Sequence, residues 1–235
     1  MTVTALFMVL ISGPSMFFVG NSYTFGNGGL WAHVKQIYDS VESDTLSVDA
    51  CTSGGATFEN HWENQALRIE LESGNWDTVV FQEQSCMPVI NPAMTYLYGD
   101  SLAWLTSSAG GEPVFLMTWA RKNDPLMLEG LELGYSRMGY IHSSSVTPCG
   151  IAFDLIKRGH PEIDPYAGDG AHPSVHGTYL AACVIAVTVY GTDILSAGIW
   201  QPSDVSREDG EILRYTAIQA CTDYQQPGQR GEASE

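Results

Sequence analysis

Two segments of this 235-residue chain carry side chains whose types and spacing suit nucleophilic chemistry. One is Gly20-Asn21-Ser22-Tyr23-Thr24, in which a serine stands just beyond the short apolar run 16–20. The other is Asp169-Gly170-Ala171-His172-Pro173-Ser174, a loop rich in Gly and Pro ahead of a long apolar stretch. A carboxylate three residues before a histidine can hold one ring nitrogen while the second nitrogen faces a serine, which turns a hydroxyl into a nucleophile. Each segment also has a plainer use. Ser22 and Thr24 are candidate caps of a following helix, and Ser174 is a candidate cap that leaves His172 solvated.

Whether these side chains can meet depends on the elements that carry them. Short apolar runs bounded by turn residues fall at 16–20, 45–50, 78–81, 114–117 and, more weakly, 145–148. Between and after them the spacing predicts helices over 30–41, 58–72, 92–107, 126–143, 150–158 and 174–190. Strands alternating with helices of this length form βαβ units. The expected fold is therefore a three-layer α/β/α sandwich on a mostly parallel five-stranded sheet. One domain is expected over residues 1–224, with 1–14 left open as an additional N-terminal segment and 225–235 read as a frayed polar tail.

In such sheets ligands sit outside the carboxyl ends of the strands, where Ser22 falls. Two further segments share that rim. Thr52-Ser53-Gly54-Gly55-Ala56-Thr57 follows the second strand, and a glycine there can aim a backbone N–H at a developing oxyanion. Phe81-Gln82-Glu83-Gln84-Ser85 follows the third, where a carboxamide can donate a second hydrogen bond. The rim residues Met117, Thr118 and Trp119 stay unassigned as pocket candidates. His61, Trp62 and Trp31 are cleft candidates that serve the core equally well.

The order and spacing of these four segments resemble those of the SGNH (GDSL-type) hydrolase superfamily, whose blocks contribute a Ser, a Gly, an Asn and a closing Asp-x-x-His. The resemblance covers about residues 16–191 and implies a flavodoxin-like hydrolase fold. It implies Ser22 as nucleophile, His172 as base and Asp169 as its orienting acid. It implies an oxyanion hole made by the N–H groups of Ser22 and Gly55, with Gly54 as the alternative, and by the side chain of Gln84, with Gln82 as the alternative. Two departures stand out. The first block reads G-N-S-Y where G-D-S-L is usual, a variant associated with a separate branch, and glutamines occupy the third block where Asn is usual. The implied activity is hydrolysis of a carboxylic ester through an acyl-enzyme, with no cofactor and no metal. A small acyl group such as acetyl, carried on a sugar, is the expected substrate. Its rate should fall below about pH 6 to 7 as the imidazole is protonated.

Composition narrows the partners. A formal charge of −17, from 27 acidic and 10 basic residues, repels phosphate backbones and anionic lipid, so nucleic acid is not expected. The apolar segment 5–12 lacks a basic flank and is too short to span a bilayer; export and oligomeric state are left open. Cys51, Cys86, Cys149, Cys183 and Cys221 have no metal-ligand spacing and read as buried thiols, although Cys51 and Cys86 lie near two site loops. His176 stands four residues after His172, yet no third ligand accompanies the pair. The rival reading is a non-catalytic module of the same fold that binds carbohydrate or flavin mononucleotide, its first loop around the phosphate.

Overall fold

Alternate residues of a strand face opposite ways, and in an interior strand both faces are apolar. Strand β1 (Ser15–Gly20) buries Met16 and Phe18 on one side and Phe17 and Val19 on the other. The computed structural model describes residues 13–196, 198–224 and 226. The apolar segment 5–12 and the tail, apart from residue 226, lie outside the described residues.

The remaining strands are β2 (Ser47–Thr52), β3 (Thr78–Phe81), β4 (Glu112–Leu116) and β5 (Val146–Thr147). All four pairings are parallel, in the order β2-β1-β3-β4-β5. The sheet has the expected class and strand number. At its amino-terminal rim, Ser15 and Asp77 clamp β1 to β3: the Asp77 carboxylate accepts from the Ser15 N–H at 2.8 Å and hydroxyl at 2.7 Å, and the Asp77 N–H donates back at 2.9 Å.

Among the described residues, ten α-helices connect and cover the strands. The short α1 (Ser22–Phe25) and α2 (Leu30–Asp39) follow β1, and α3 (Phe58–Glu63) and α4 (Gln65–Glu72) follow β2. After β3 come α5 (Met87–Ile90) and α6 (Pro92–Ser108), and after β4 comes α7 (Met127–His142). The chain closes with α8 (Cys149–Gly159), α9 (Val175–Tyr190) and α10 (Arg207–Asp223). One apolar cluster joins Met16, Phe18, Val80 and Val114 to α2, α8, α9 and α10. The opposite cluster joins Phe17, Val79, Phe81 and Phe115 to α4, α6 and α7. Truncating a buried aromatic such as Phe18 to Ala costs about 3–5 kcal/mol.

Several elements differ from the sequence expectation, and four of the differences have a visible physical setting. Strand β2 starts at Ser47, not 45, because Leu46 is tied to α2: its N–H donates to Asp39 at 2.9 Å and its carbonyl accepts from Lys35 at 2.8 Å. The single helix expected over 58–72 breaks at Asn64, whose side chain accepts from the N–H groups of Ala66 and Leu67 and so starts α4. Strand β5 shrinks to two residues, and the Gln226 side chain bonds both backbone groups of Val146 at 3.0 Å, holding residue 226 beside it. Helix α10 was not expected; it is capped by Ser206 and carries Glu208 and Asp209 in its first turn. No helix among the described residues is long and apolar enough to cross a membrane.

Candidate active site

The carboxyl end of β1 turns abruptly at Gly20, where a Cβ would stand 2.3 Å from the Thr24 hydroxyl and 2.8 Å from Gln82 Oε1; only glycine fits. Asn21 caps α1, its side-chain oxygen accepting from the Tyr23 N–H at 3.2 Å while its amide donates to the Ala56 carbonyl at 3.0 Å. The loop after β1 is thereby fixed to the loop after β2. Asn21 caps the helix and the Thr24 hydroxyl donates to Gln82 at 2.8 Å, so neither Ser22 nor Thr24 serves as the cap. The Ser22 hydroxyl points elsewhere.

On the other side of the rim, the segment 166–174 folds back on itself. Tyr166 bridges Pro173, and the Ala167 N–H donates to the His172 carbonyl at 2.8 Å. Gly170 takes a left-handed φ of 68° and its carbonyl accepts from the Lys122 N–H at 2.9 Å. The Trp119 indole donates to the Ala171 carbonyl. Ser174 does cap α9, accepting from the Gly177 N–H at 3.2 Å, but His172, although partly exposed, has a partner at each ring nitrogen. The Asn27 amide reaches across to the Pro173 carbonyl at 2.9 Å and the Thr178 hydroxyl at 2.8 Å, joining the serine loop to the histidine loop.

These constraints bring Ser22, His172 and Asp169 into one line. His172 Nε2 lies 2.9 Å from Ser22 Oγ, and His172 Nδ1 lies 2.5 Å from Asp169 Oδ2. The other carboxylate oxygen of Asp169 accepts from the N–H groups of Ala171 and His172, each at 3.0 Å. The imidazole beside Asp169, followed by these two N–H donors, holds its carboxyl well below the usual carboxylate range. An ionised Asp169 fixes the proton on Nδ1 and leaves Nε2 as the acceptor for the Ser22 hydroxyl. The ring is steadied by Tyr23, which meets it edge-on at 5.3 Å and stacks on Trp119 at 4.7 Å, and Trp119 stacks in turn on Phe153 at 4.1 Å.

A cleft of about 320 Å³ opens over Ser22 and His172, bordered also by Gly55, Gln84, Ser85 and Arg121. The N–H of Ser22 and that of Gly55 make no hydrogen bond within the described residues. Gly55, with a left-handed φ of 69°, lines this cleft; Gly54 lines only a neighbouring depression of about 300 Å³ formed with Asn60, His61 and Asn64. Gln84 Oε1 accepts from the Cys86 N–H at 2.9 Å, which leaves its NH₂ group free to donate into the cleft. The alternative Gln82 is excluded as a donor to substrate. It is buried, its oxygen accepts from the Asn21 N–H at 2.9 Å and the Thr24 hydroxyl, and its amide donates to the Glu83 carbonyl.

The other candidates take supporting places. Met117, Thr118 and Trp119 are buried beneath the rim and do not line the cleft. His61 is buried and bonds the Gly20 carbonyl at 3.0 Å, and burial pushes its imidazole pKa down. Arg68 stacks over Trp62, and Trp31 packs on the core. His176 pairs with Asp209 of α10 at 3.2 Å, and no metal-binding cluster occurs among the described residues. All five cysteines are free, with Cys149 and Cys183 buried and Cys51, Cys86 and Cys221 half-buried. A depression of about 720 Å³ between Leu195 and α10 has no histidine among its lining residues. Sequence reasoning missed Asn27 and Arg121, since neither sits in a motif.

Comparison with solved structures identifies the fold. The chain has the fold of the SGNH hydrolases. A protein from Slackia heliotrinireducens assigned to that group superposes with a TM-score of 0.64 at 23% identity, covering 74% of this chain and 98% of its own. A DUF4886 family protein from Bacteroides uniformis gives a TM-score of 0.73 at 15% identity over 89% and 95%. An acetyl xylan esterase from Geobacillus stearothermophilus gives 0.56 at 17% over 75% and 93%. No protein-family model and no curated protein sequence matches the chain.

Proposed function

We propose that the chain is a serine esterase whose nucleophile is Ser22. The observation that carries this reading is the continuous hydrogen-bonded line from Ser22 Oγ through His172 to an ionised Asp169, open to a cleft. Ser22 Oγ attacks the ester carbonyl carbon as His172 Nε2 takes its proton. The tetrahedral oxyanion is held by the N–H groups of Ser22 and Gly55 and by the Gln84 amide. Collapse breaks the bond to the alcohol, which leaves with the proton from His172. Water then attacks the acyl-enzyme with His172 again as base, releasing the carboxylic acid and restoring Ser22. Asp169 stabilises the imidazolium formed in both steps.

A short acyl group, acetyl on a carbohydrate in particular, suits the small open cleft, and the likeness to an acetyl xylan esterase supports it. The test is labelling by a fluorophosphonate probe, with the adduct located by peptide mass spectrometry, beside hydrolysis of nitrophenyl esters of rising chain length. Labelling at Ser22 and activity that declines beyond short acyl chains are expected. An unlabelled protein with no turnover would favour the binding-module reading.

A further inference from the structure

The cleft contains a cation that the ester chemistry does not use. Nine of the ten lysines and arginines lie among the described residues, and eight of the nine are engaged. Four pair with carboxylates, two lie over aromatic rings, and two donate to polar oxygens. Among the described residues the Arg121 guanidinium has no ion pair, hydrogen bond or ring contact, and Arg121 borders the cleft above Ser22 and His172. In a chain of formal charge −17, with acids outnumbering bases almost threefold, an unpaired arginine at this position stands out. Its backbone is well fixed: the Ala120 carbonyl accepts from the Tyr166 hydroxyl at 2.8 Å, and the Lys122 N–H donates to Gly170.

A second, independent feature lies in the same wall. Tyr23 is 5% exposed, and its buried hydroxyl makes no well-formed hydrogen bond among the described residues, the Ser85 side chain being its nearest polar partner. Burying a hydroxyl unpaired is costly unless a ligand supplies the partner. Ser85 stands beside it, 7% exposed, its hydroxyl shared between Tyr23 and a soft 3.6 Å contact with Cys86 Sγ. The Arg121 guanidinium, anchored through its backbone, borders the cleft that holds the nucleophile, and the Tyr23 and Ser85 hydroxyls stand in the wall of the same cleft.

Resting on the esterase reading above, we propose that Arg121, Tyr23 and Ser85 form a carboxylate subsite, so that the preferred substrate carries a carboxylate within a few bonds of the scissile ester. Guanidinium and carboxylate match as planar two-pronged partners. A monoanion fits better than a phosphate dianion, because the subsite has one positive charge and the Asp169 carboxylate stands on the same rim. The negative field of the whole chain repels an anionic substrate, and Arg121 reverses that field locally. An O-acetylated uronic acid and a half-ester of a dicarboxylic acid both satisfy these requirements. They place the anion on the alcohol and the acyl side respectively.

Two matched pairs test the subsite: acetylated glucuronate against acetylated glucuronamide, and nitrophenyl hemisuccinate against nitrophenyl succinamate. The wild-type chain should prefer the carboxylate member of at least one pair by about tenfold or more in kcat/KM, the size of a charge-assisted hydrogen bond. The pair that responds shows the side on which the anion lies. Arg121→Gln should bring that ratio to about one, Arg121→Lys should keep part of it, and added salt should shrink it in the wild type. Ratios near one in the wild type for both pairs, or a preference that survives Arg121→Gln, overturn the proposal. Nitrophenyl acetate separates this outcome from failure of the esterase reading. If no ester is turned over, calorimetric binding of acetylated glucuronate and glucuronamide to the wild-type chain and to Arg121→Gln decides the subsite. An Arg121-dependent preference for the carboxylate sustains it, and equal binding refutes it.

Discussion

Trp119 and Ala171 are joined by a 2.9 Å hydrogen bond from the indole N–H to the carbonyl oxygen. This bond couples the loop after β4 to the loop that carries Asp169 and His172, while the indole ring is stacked between Tyr23 and Phe153. Trp119→Phe keeps an aromatic ring in the stack and removes the donor. Small misplacements of a catalytic group are costly, so kcat should fall by about tenfold with a smaller change in KM. Steady-state kinetics on a nitrophenyl ester reads both values, and an unchanged kcat would show that the bond does not position the imidazole.

The two glutamines after β3 should fail in different ways. Gln84→Ala removes a donor to the oxyanion and should lower kcat on the order of 10²-fold in a protein of near-normal stability. Gln82→Ala strips the Asn21 N–H and Thr24 hydroxyl of their shared acceptor and should cost about 2–3 kcal/mol. Urea titration and kinetics on both variants give the comparison; reversal of the two phenotypes would exchange the assignments.

Asp169→Asn should reduce kcat on the order of 10³- to 10⁴-fold, because an amide no longer enforces the Nδ1–H tautomer. With its pKa lowered, Asp169 contributes stability that is present above the usual carboxylate range and lost only as pH falls toward its depressed value. Its charge is therefore constant across neutral pH. A kcat/KM profile that stays flat down to pH 5 would remove His172 from the mechanism.

Glu83 has the opposite sign. It is 1% exposed, and burial pushes its carboxyl up to about 7 despite N–H donors from Gln84 at 2.6 Å and Phe58 at 2.9 Å. An acid whose folded pKa is raised contributes stability that is complete below about pH 4.5 and declines as pH rises through about 7. Relative to Glu83→Gln, the wild type should lose up to about 3 kcal/mol between pH 4.5 and 8. Parallel denaturation series for both proteins measure the difference, and two curves of equal pH slope would contradict it.

The convergence of Ser22, Asp169 and His172 was legible because each stands in a short local pattern, and the strand runs showed which rim they share. Residues whose partners are distant in sequence were not. Gln82 bonds Asn21 from 61 positions away, and Asn27 reaches Thr178 across 151. Helix α10 escaped because its buried stripe is made of Gly210, Leu213, Thr216, Ala217 and Ala220, mostly small residues that give a weak apolar signal. The capping pattern at Ser206, with acids in the first turn, was the available clue. Arg121 carried no pattern at all; its meaning comes from the absence of a partner.

The clamp between Ser15 and Asp77 lies a whole strand length from Ser22, at the back of the sheet, whereas every loop that borders the nucleophile leaves from the front. Anchorage and chemistry are thus assigned to opposite ends of the same strands. A fusion partner or solid support attached at the back faces away from the reaction. The front stays free to approach an ester projecting from a large, insoluble polymer as readily as one on a small molecule.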